Sequence, residues 1–257
     1  MGRPRRYKLN ENYFEKIDSE DKAYWLGFIY ADGYIHKRTN SHGQAVLGIT
    51  LHEKEPLEKF MTCLQSDKPV KSYITKGKYN EGSVEYKAVI ISNKIVSDIE
   101  RLGVVEQKTF KLSGIPNISD DLIPHFIRGY FDGDGSVYLH TSLSGAGSRY
   151  QQYYKILGVH ICGTKLMLES IRKHLSSFLM DSEKPIYKEL RSKNDIWGLK
   201  MTSNKRCKSF YEFIYPVGTT IYFDRKKKVF EDYFEMYKKG EHKMGKTKKL
   251  VDNTSPM

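Results

Sequence analysis

Apolar residues recur at helical spacing at Tyr24, Trp25, Phe28 and Ile29, and again at Phe126, Ile127, Tyr130 and Phe131, which predicts two helices with one apolar face each. Behind each helix the pattern changes to β-branched and aromatic residues in alternation, broken by Gly and Asn. Four such stretches, residues 33–52, 68–91, 136–162 and 184–204, read as strands or hairpins. Amphipathic helical runs separate them. Each half of the chain therefore reads helix, two strands, helix, two strands, helix.

The halves repeat in residues as well as in pattern. Trp25-Leu-Gly-Phe-Ile-Tyr-Ala-Asp-Gly33 recurs as Ile127-Arg-Gly-Tyr-Phe-Asp-Gly-Asp-Gly135, an offset of 102 residues. Further matches follow at offsets of 110, 116 and 111, a drift that loop insertions produce. The repeat is too long for a solenoid unit and implies a duplicated domain with a pseudo-twofold axis. The expected organisation is a basic arm over 1–19, a first half over 20–119, a second half over 120–237 and a disordered basic tail over 238–257. The fold class is α+β.

Small residues four apart, Gly27 with Ala31 and Gly129 with Gly133, clear a stripe along which the two helices can pack backbone to backbone. Packed on the axis, they bring Asp32 and Asp134 side by side at their C-terminal ends, ahead of Gly33 and Gly135 as helix-ending residues. One Asp-Gly would read as an ordinary turn. Two in matching repeats oppose both helix dipoles and each other, an arrangement that calls for a cation. Hard oxygen ligands suit Mg²⁺.

Composition adds the partner. The 257 residues include 43 Lys and Arg against 31 Asp and Glu, a net charge of +12. Residues 1–8 hold +4 and residues 238–257 another +4. The four strand stretches sum to +10, so the rest of the core is −6. Base goes with strands and acid with helices, as in a β surface laid on a polyanion. Together with two acids and a metal this spells phosphodiester hydrolysis. Cys63, Cys162 and Cys207 are an odd set without a C-x-x-C pair and read as small buried hydrophobes. No apolar run approaches a membrane span and no secretory pattern opens the chain, so an intracellular protein is expected.

The two motifs resemble those of the LAGLIDADG homing endonucleases in their single-chain, two-motif form, over about residues 20–237. The resemblance implies two αββαββα halves, motif helices packed at the interface, and antiparallel saddle-shaped sheets facing double-stranded DNA. It also implies a monomer cutting both strands at a long, pseudo-palindromic site with Mg²⁺ or a cation such as Mn²⁺. Carried over by position, Asp32 and Asp134 bind metal, with the carbonyls of Ala31 and Gly133 close by. Lys108 and Lys226 match the lysines near the scissile phosphates, Lys227 being one residue away. Glu53 fills the polar strand-to-helix position of the first half, where the second has Gly163, so unequal sites and sequential nicking are expected. The sequence departs from the family pattern at Tyr30, Leu26 and Arg128, none of them a metal acid.

Counting alternate strand positions from the acids puts His36, Arg38, Asn40, Gln44 and Thr50 on the DNA face of the first half, and Tyr138, His140, Ser142, Tyr154 and His160 on that of the second. Lys76, Lys78, Lys87, Lys188, Arg191 and Lys200 are expected at phosphates or guanines. Arg3, Arg5 and Arg6 resemble the core of a minor-groove arm. Two other readings fit the scaffold, an intron RNA maturase and a non-catalytic DNA-binding regulator. Both are disfavoured by the two retained acids.

Overall fold

The computed structural model describes residues 5–37, 43–75, 82–144, 150–179, 185–189 and 195–248. Helix α1 (Glu20–Ala31) carries Glu20 and Asp21 in its first turn, where the helix dipole favours acid. Helix α4 (Ile123–Asp134) has proline in its first turn, where the missing N–H costs nothing. Every residue of α1 from Ala23 to Ala31 is buried, so it has no solvent face. It is apolar all round because it lies between the two halves.

The small-residue stripe does what its spacing predicts. A Cβ built on Gly27 would lie 2.0 Å from the Phe126 carbonyl oxygen. The helices run in the same direction, since Gly27 meets Phe126 and Tyr130 while Gly133 meets Ala31. Phe28, Phe126 and Phe131 are fully buried around this contact, each contributing roughly 2–3 kcal/mol of apolar burial. Phe28 packs on Phe223 of the other half, ring centres 5.3 Å apart.

In the first half β1 (Gly33–Lys37), β2 (Ala45–Leu51), α2 (Glu55–Cys63), β3 (Lys71–Ile74), β4 (Val84–Ile91) and α3 (Asn93–Arg101) follow α1. In the second, β5 (Gly135–Ser144), β6 (Tyr150–Gly163), α5 (Lys165–Leu179), β7 (Tyr187–Lys188), β8 (Trp197–Met201) and α6 (Asn204–Ile214) follow α4. The sheets are antiparallel and ordered β1-β2-β4-β3 and β5-β6-β8-β7, the same topology twice. The expected αββαββα order therefore holds in both halves. To it the second adds α7 (Asp224–Lys238) and β9 (Lys243–Lys248).

Three expectations are corrected. The tail is not disordered from 238: β9 pairs with the outer part of β6, setting Lys246 opposite Gln152 in register. Its polar sequence hid an edge strand that only a neighbouring strand stabilises. The arm does not extend to 19, because Tyr13 and Phe14 are buried in the core. Two adjacent aromatics show no periodicity. Finally, Gly33 and Gly135 do not end their helices in the left-handed conformation. They are glycines for space, since a Cβ would meet Ile29 at 2.8 Å or the Phe131 carbonyl at 2.5 Å. No helix among the described residues is long and apolar enough to cross a membrane.

Candidate active site and nucleic-acid interface

Asp32 caps α1 and Asp134 is the last residue of α4, so the parallel packing delivers both acids to one place. The glycine at 133 permits this: a Cβ there would clash with Ala31 and lie 3.3 Å from Asp32 Oδ2. Both carboxylates are open to solvent yet crowded by protein around them. That crowding pushes the Asp134 carboxyl up to about 6, with the charge of Asp32 adding to it, against Lys108, Lys226 and the nearby Tyr130 hydroxyl. Asp32 is raised by the same crowding, opposed by Lys108, Lys226 and Arg225.

The two lysines expected at the site are both buried beside the acids. Lys108 Nζ donates to the Ala31 carbonyl. Gln107, in the left-handed region at φ 55°, turns the chain immediately ahead of it, backbone strain of the kind found at sites of function. Lys226 Nζ donates to the carbonyls of Phe131 and Asp132 at 2.7 Å and of Gly135 at 2.6 Å. Burial pushes both amines down, Lys226 to about 8. Lys227 instead pairs with Glu231 on its own helix, so of the two neighbours it is Lys226 that reaches the motif carbonyls. Of the two expected carbonyls, Ala31's holds Lys108, while Gly133 lies against Ala31.

The Glu53 carboxylate takes Arg225 Nε at 2.7 Å, and Arg225 is one of the three cations, after Lys108 and Lys226, that oppose the raising of Asp32. The sheet register aligns Ile49 with Ile161, an offset of 112, whereas α2 and α5 begin 110 apart. The first half thus has two extra residues at this junction, and they carry Glu53 out toward α7. Arg225 stands in a run of four basic residues, and nothing local distinguishes it from its neighbours.

The motif departures close the interface. Arg128 is fully buried and donates to the carbonyls of Ile221 and Ile214 at 2.8 and 2.7 Å and to Glu20 of the other motif helix at 2.7 Å. Asp132 is also buried and accepts from Tyr24 Oη and from Phe223 N, each at 2.9 Å. Burial raises its carboxyl to about 6. Tyr30, at the matching position of the first motif, donates to the Leu102 carbonyl instead.

Both sheets begin at the acids, and their outer faces continue from them. In β1, Tyr34 and His36 are exposed while Ile35 is buried, as alternate counting requires. The register carries this face through Thr50 to Lys87 and on to Lys71. Tyr34 lies on Gly48, and Lys87 Nζ stands 5.0 Å from its ring centre. In the second sheet Tyr138 lies on Gly158, with Lys200 at 5.8 Å. The same face there holds Ser142, Tyr154 and His160 along β5 and β6. His140 is half-buried beside Tyr138, ring centres 5.9 Å apart. Gln44 lines a groove with Arg5, Arg6 and Lys68, and Arg5 is tied to the Ile91 carbonyl at 2.8 Å.

Lys188 is a correction. Its register partner is Trp197, on the face opposite His160, and its amine pairs with Asp195 at 2.9 Å. Tyr187 takes the groove-face position instead, paired with Gly198, because basic character alone does not report which face of a strand a residue takes. Lys68, Lys71, Tyr73 and Gln107, which line the groove with Tyr34 and His36, were not foreseen. Arg3, Arg38, Asn40, Lys76, Lys78 and Arg191 lie outside the described residues.

Residues 19–102 match the family model of the LAGLIDADG-like domain. Among solved structures, the LAGLIDADG meganuclease I-AabMI bound to uncleaved DNA is similar at 16% identity and a TM-score of 0.55, covering 85% of this chain and 92% of that one. Meganuclease I-CpaMI bound to uncleaved DNA gives 15% identity and a TM-score of 0.57, covering 88% and 94%. I-SmaMI bound to uncleaved DNA in the presence of calcium ions gives 15% and 0.55, covering 88% and 94%. No curated protein matches the sequence. The chain thus carries a LAGLIDADG-like domain and, across both halves, has the LAGLIDADG meganuclease fold.

Proposed function

We propose that this chain, with its meganuclease fold, is a site-specific double-strand DNA endonuclease of the homing type. It acts as a monomer with a divalent cation such as Mg²⁺. The observation that carries the reading is the meeting of Asp32 and Asp134 at the ends of two equivalent helices, flanked by Lys108 and Lys226, where β1 and β5 both begin.

The donors fit a hard divalent cation. Two crowded, mutually repelling carboxylates with the Ala31 carbonyl beside them are all oxygen ligands, and a carbonyl that accepts from Lys108 keeps a second lone pair. Asp32 and Asp134 would hold the cation, which supplies Lewis-acid charge and eases ionisation of bound water. The chain's own residues do the rest. Lys108 and Lys226 are fixed by carbonyls before substrate arrives, and their charge opposes the negative charge that develops on a phosphodiester during cleavage. Lys226, held to about 8, gives up or takes a proton near neutral pH.

Lys71, Lys87 and Lys200 on the sheet faces serve phosphates, which fix register, while His36, Thr50 and His160 stand where base edges are read. The two faces carry different side chains, so the target is long and only loosely palindromic.

The test is to incubate the protein with a randomised plasmid library and Mg²⁺ and to sequence the ends. Cuts at a defined long site, lost in Asp32→Asn and in Asp134→Asn while DNA binding persists, are expected. Cleavage that persists in both variants, or none by the wild type, would overturn the reading.

A further inference from the structure

We propose that His160, Cys162 and Glu189 form a second metal site, for a borderline-soft divalent cation of the zinc class, on the groove face of the second sheet and separate from Asp32 and Asp134. The three side chains come from β6 and from the residue after β7, and their ligand atoms all lie within 4.8 Å of one another. His160 Nε2 is 2.9 Å from Glu189 Oε1 and 3.8 Å from Cys162 Sγ. Tetrahedral zinc bonds to nitrogen, oxygen and sulfur set ligand atoms about 3.3–3.6 Å apart, so the two separations from His160 need changes of roughly half an ångström or less, and the sulfur and carboxylate must close from within 4.8 Å.

The fold makes room for the cluster at one residue. Gly198 pairs with Cys162 on one side and Tyr187 on the other. A Cβ there would lie 2.5 Å from Glu189 Oε1 and 2.6 Å from His160 Nε2. Any other residue would fill the cradle into which both ligands reach. By register, the first sheet has Lys87 where the second has Gly198, and Thr50 where it has Cys162. The halves therefore share a backbone here but not a chemistry: a lysine facing the groove is replaced by a gap, and Glu189 sits over it.

That carboxylate lies on a face suited to phosphates, which it would repel. A bound cation removes this repulsion. On coordination the Cys162 thiol gives its proton to solvent, and a dication with one thiolate, one carboxylate and a neutral imidazole is uncharged, one unit more positive than the empty cluster with its thiol protonated. All three side chains are half-buried, which leaves a fourth position open to water or a phosphate oxygen. The Tyr187 hydroxyl, 3.0 Å from His160 Nε2, borders the site. Thiolate and imidazole select zinc or cobalt over Mg²⁺, so the two sites take different ions from one solution. The cation would also pin the two-residue edge strand β7 to β6. None of this depends on the chain being a nuclease.

The test uses the full chain, reduced and stripped with chelator, titrated with Co²⁺ in excess Mg²⁺, in wild type and in the Asp32→Asn/Asp134→Asn double variant. One equivalent of Co²⁺ should bind in both, with a thiolate-to-cobalt charge-transfer band and tetrahedral d–d bands that Zn²⁺ abolishes. Cys162→Ser should lose the charge-transfer band and Cys63→Ser should keep it, each with an unchanged circular dichroism spectrum. Glu189→Gln should weaken Co²⁺ binding at least about tenfold. No charge-transfer band, or one that survives in Cys162→Ser, overturns the proposal; so does undiminished affinity in Glu189→Gln.

Discussion

A Cβ on Gly129 would lie 1.9 Å from the carbonyl oxygen of Tyr24, so the two motif helices touch through their backbones. No rotamer change relieves that clash, because the neighbour is main chain. Gly27→Ala and Gly129→Ala should each cost about 3 kcal/mol or more, since the helices must separate and the acids with them. Denaturant unfolding measures this; a loss under about 1 kcal/mol would mean the interface yields more easily than its geometry implies.

The buried Arg128 offers a second probe of the same interface. Arg128→Met takes the guanidinium from Glu20, which keeps the Thr220 N–H, and from two buried carbonyls, and should destabilise by about 3 kcal/mol. Adding Glu20→Gln should restore part of that loss, because it removes the uncompensated charge. Thermal melts of the two single variants and the double variant give the coupling.

Lys226 and Lys227 are adjacent, and only the first reaches the motif carbonyls. Lys108→Ala and Lys226→Met should each reduce cleavage about 100-fold or more with DNA affinity little changed. Lys227→Ala should stay within roughly twofold of wild type, since its pair with Glu231 is an exposed helix contact. Single-turnover rates at saturating protein separate chemistry from binding.

The raised carboxyl of Asp134 sets a pH dependence. Its folded-state value of about 6 exceeds the usual 3.8, so the folded protein holds this proton more tightly. In the metal-free protein the resulting stability is present below about pH 4 and lost as pH rises through about 6. Asp134→Asn should therefore raise metal-free stability at neutral pH, by about 1 kcal/mol once solvent screening at this open position is allowed for. Binding of Mg²⁺ competes with the same proton. Its apparent affinity should fall roughly fourfold between pH 7.5 and 5.5, which isothermal titration would record.

The two acids have unlike surroundings. Asp32 stands by Arg225, which Glu53 holds, whereas Asp134 stands by Tyr130, whose hydroxyl donates to the Cys162 carbonyl at 3.0 Å. One strand should be cut faster than the other, and Arg225→Ala should change one of the two rates more. A supercoiled-plasmid time course with equal first and second cuts would remove this asymmetry.

Much of this molecule is written locally. The duplication, the two motif helices and the strand pairs in each half follow from periodicity and small-residue spacing, because those signals lie within a few residues. Asp32 and Asp134 were legible for the same reason, each sitting at a fixed place in a repeated motif. Alternation within one strand also sufficed for His36 and Thr50. What crosses a loop or the interface was not legible. Lys188 changed face because nothing in the chain reports register beyond a turn. Glu53 went to Arg225, and β9 joined β6, through contacts between segments far apart in the chain. Gly33 and Gly135 were recognised as necessary but for the wrong reason: a sequence records that a side chain is missing, and only the packed structure shows what occupies its place. The chain determined which groups it would bring to the pseudo-twofold axis; tertiary packing alone decided which of them touch, because contact energies depend on distances that no spacing along the chain specifies.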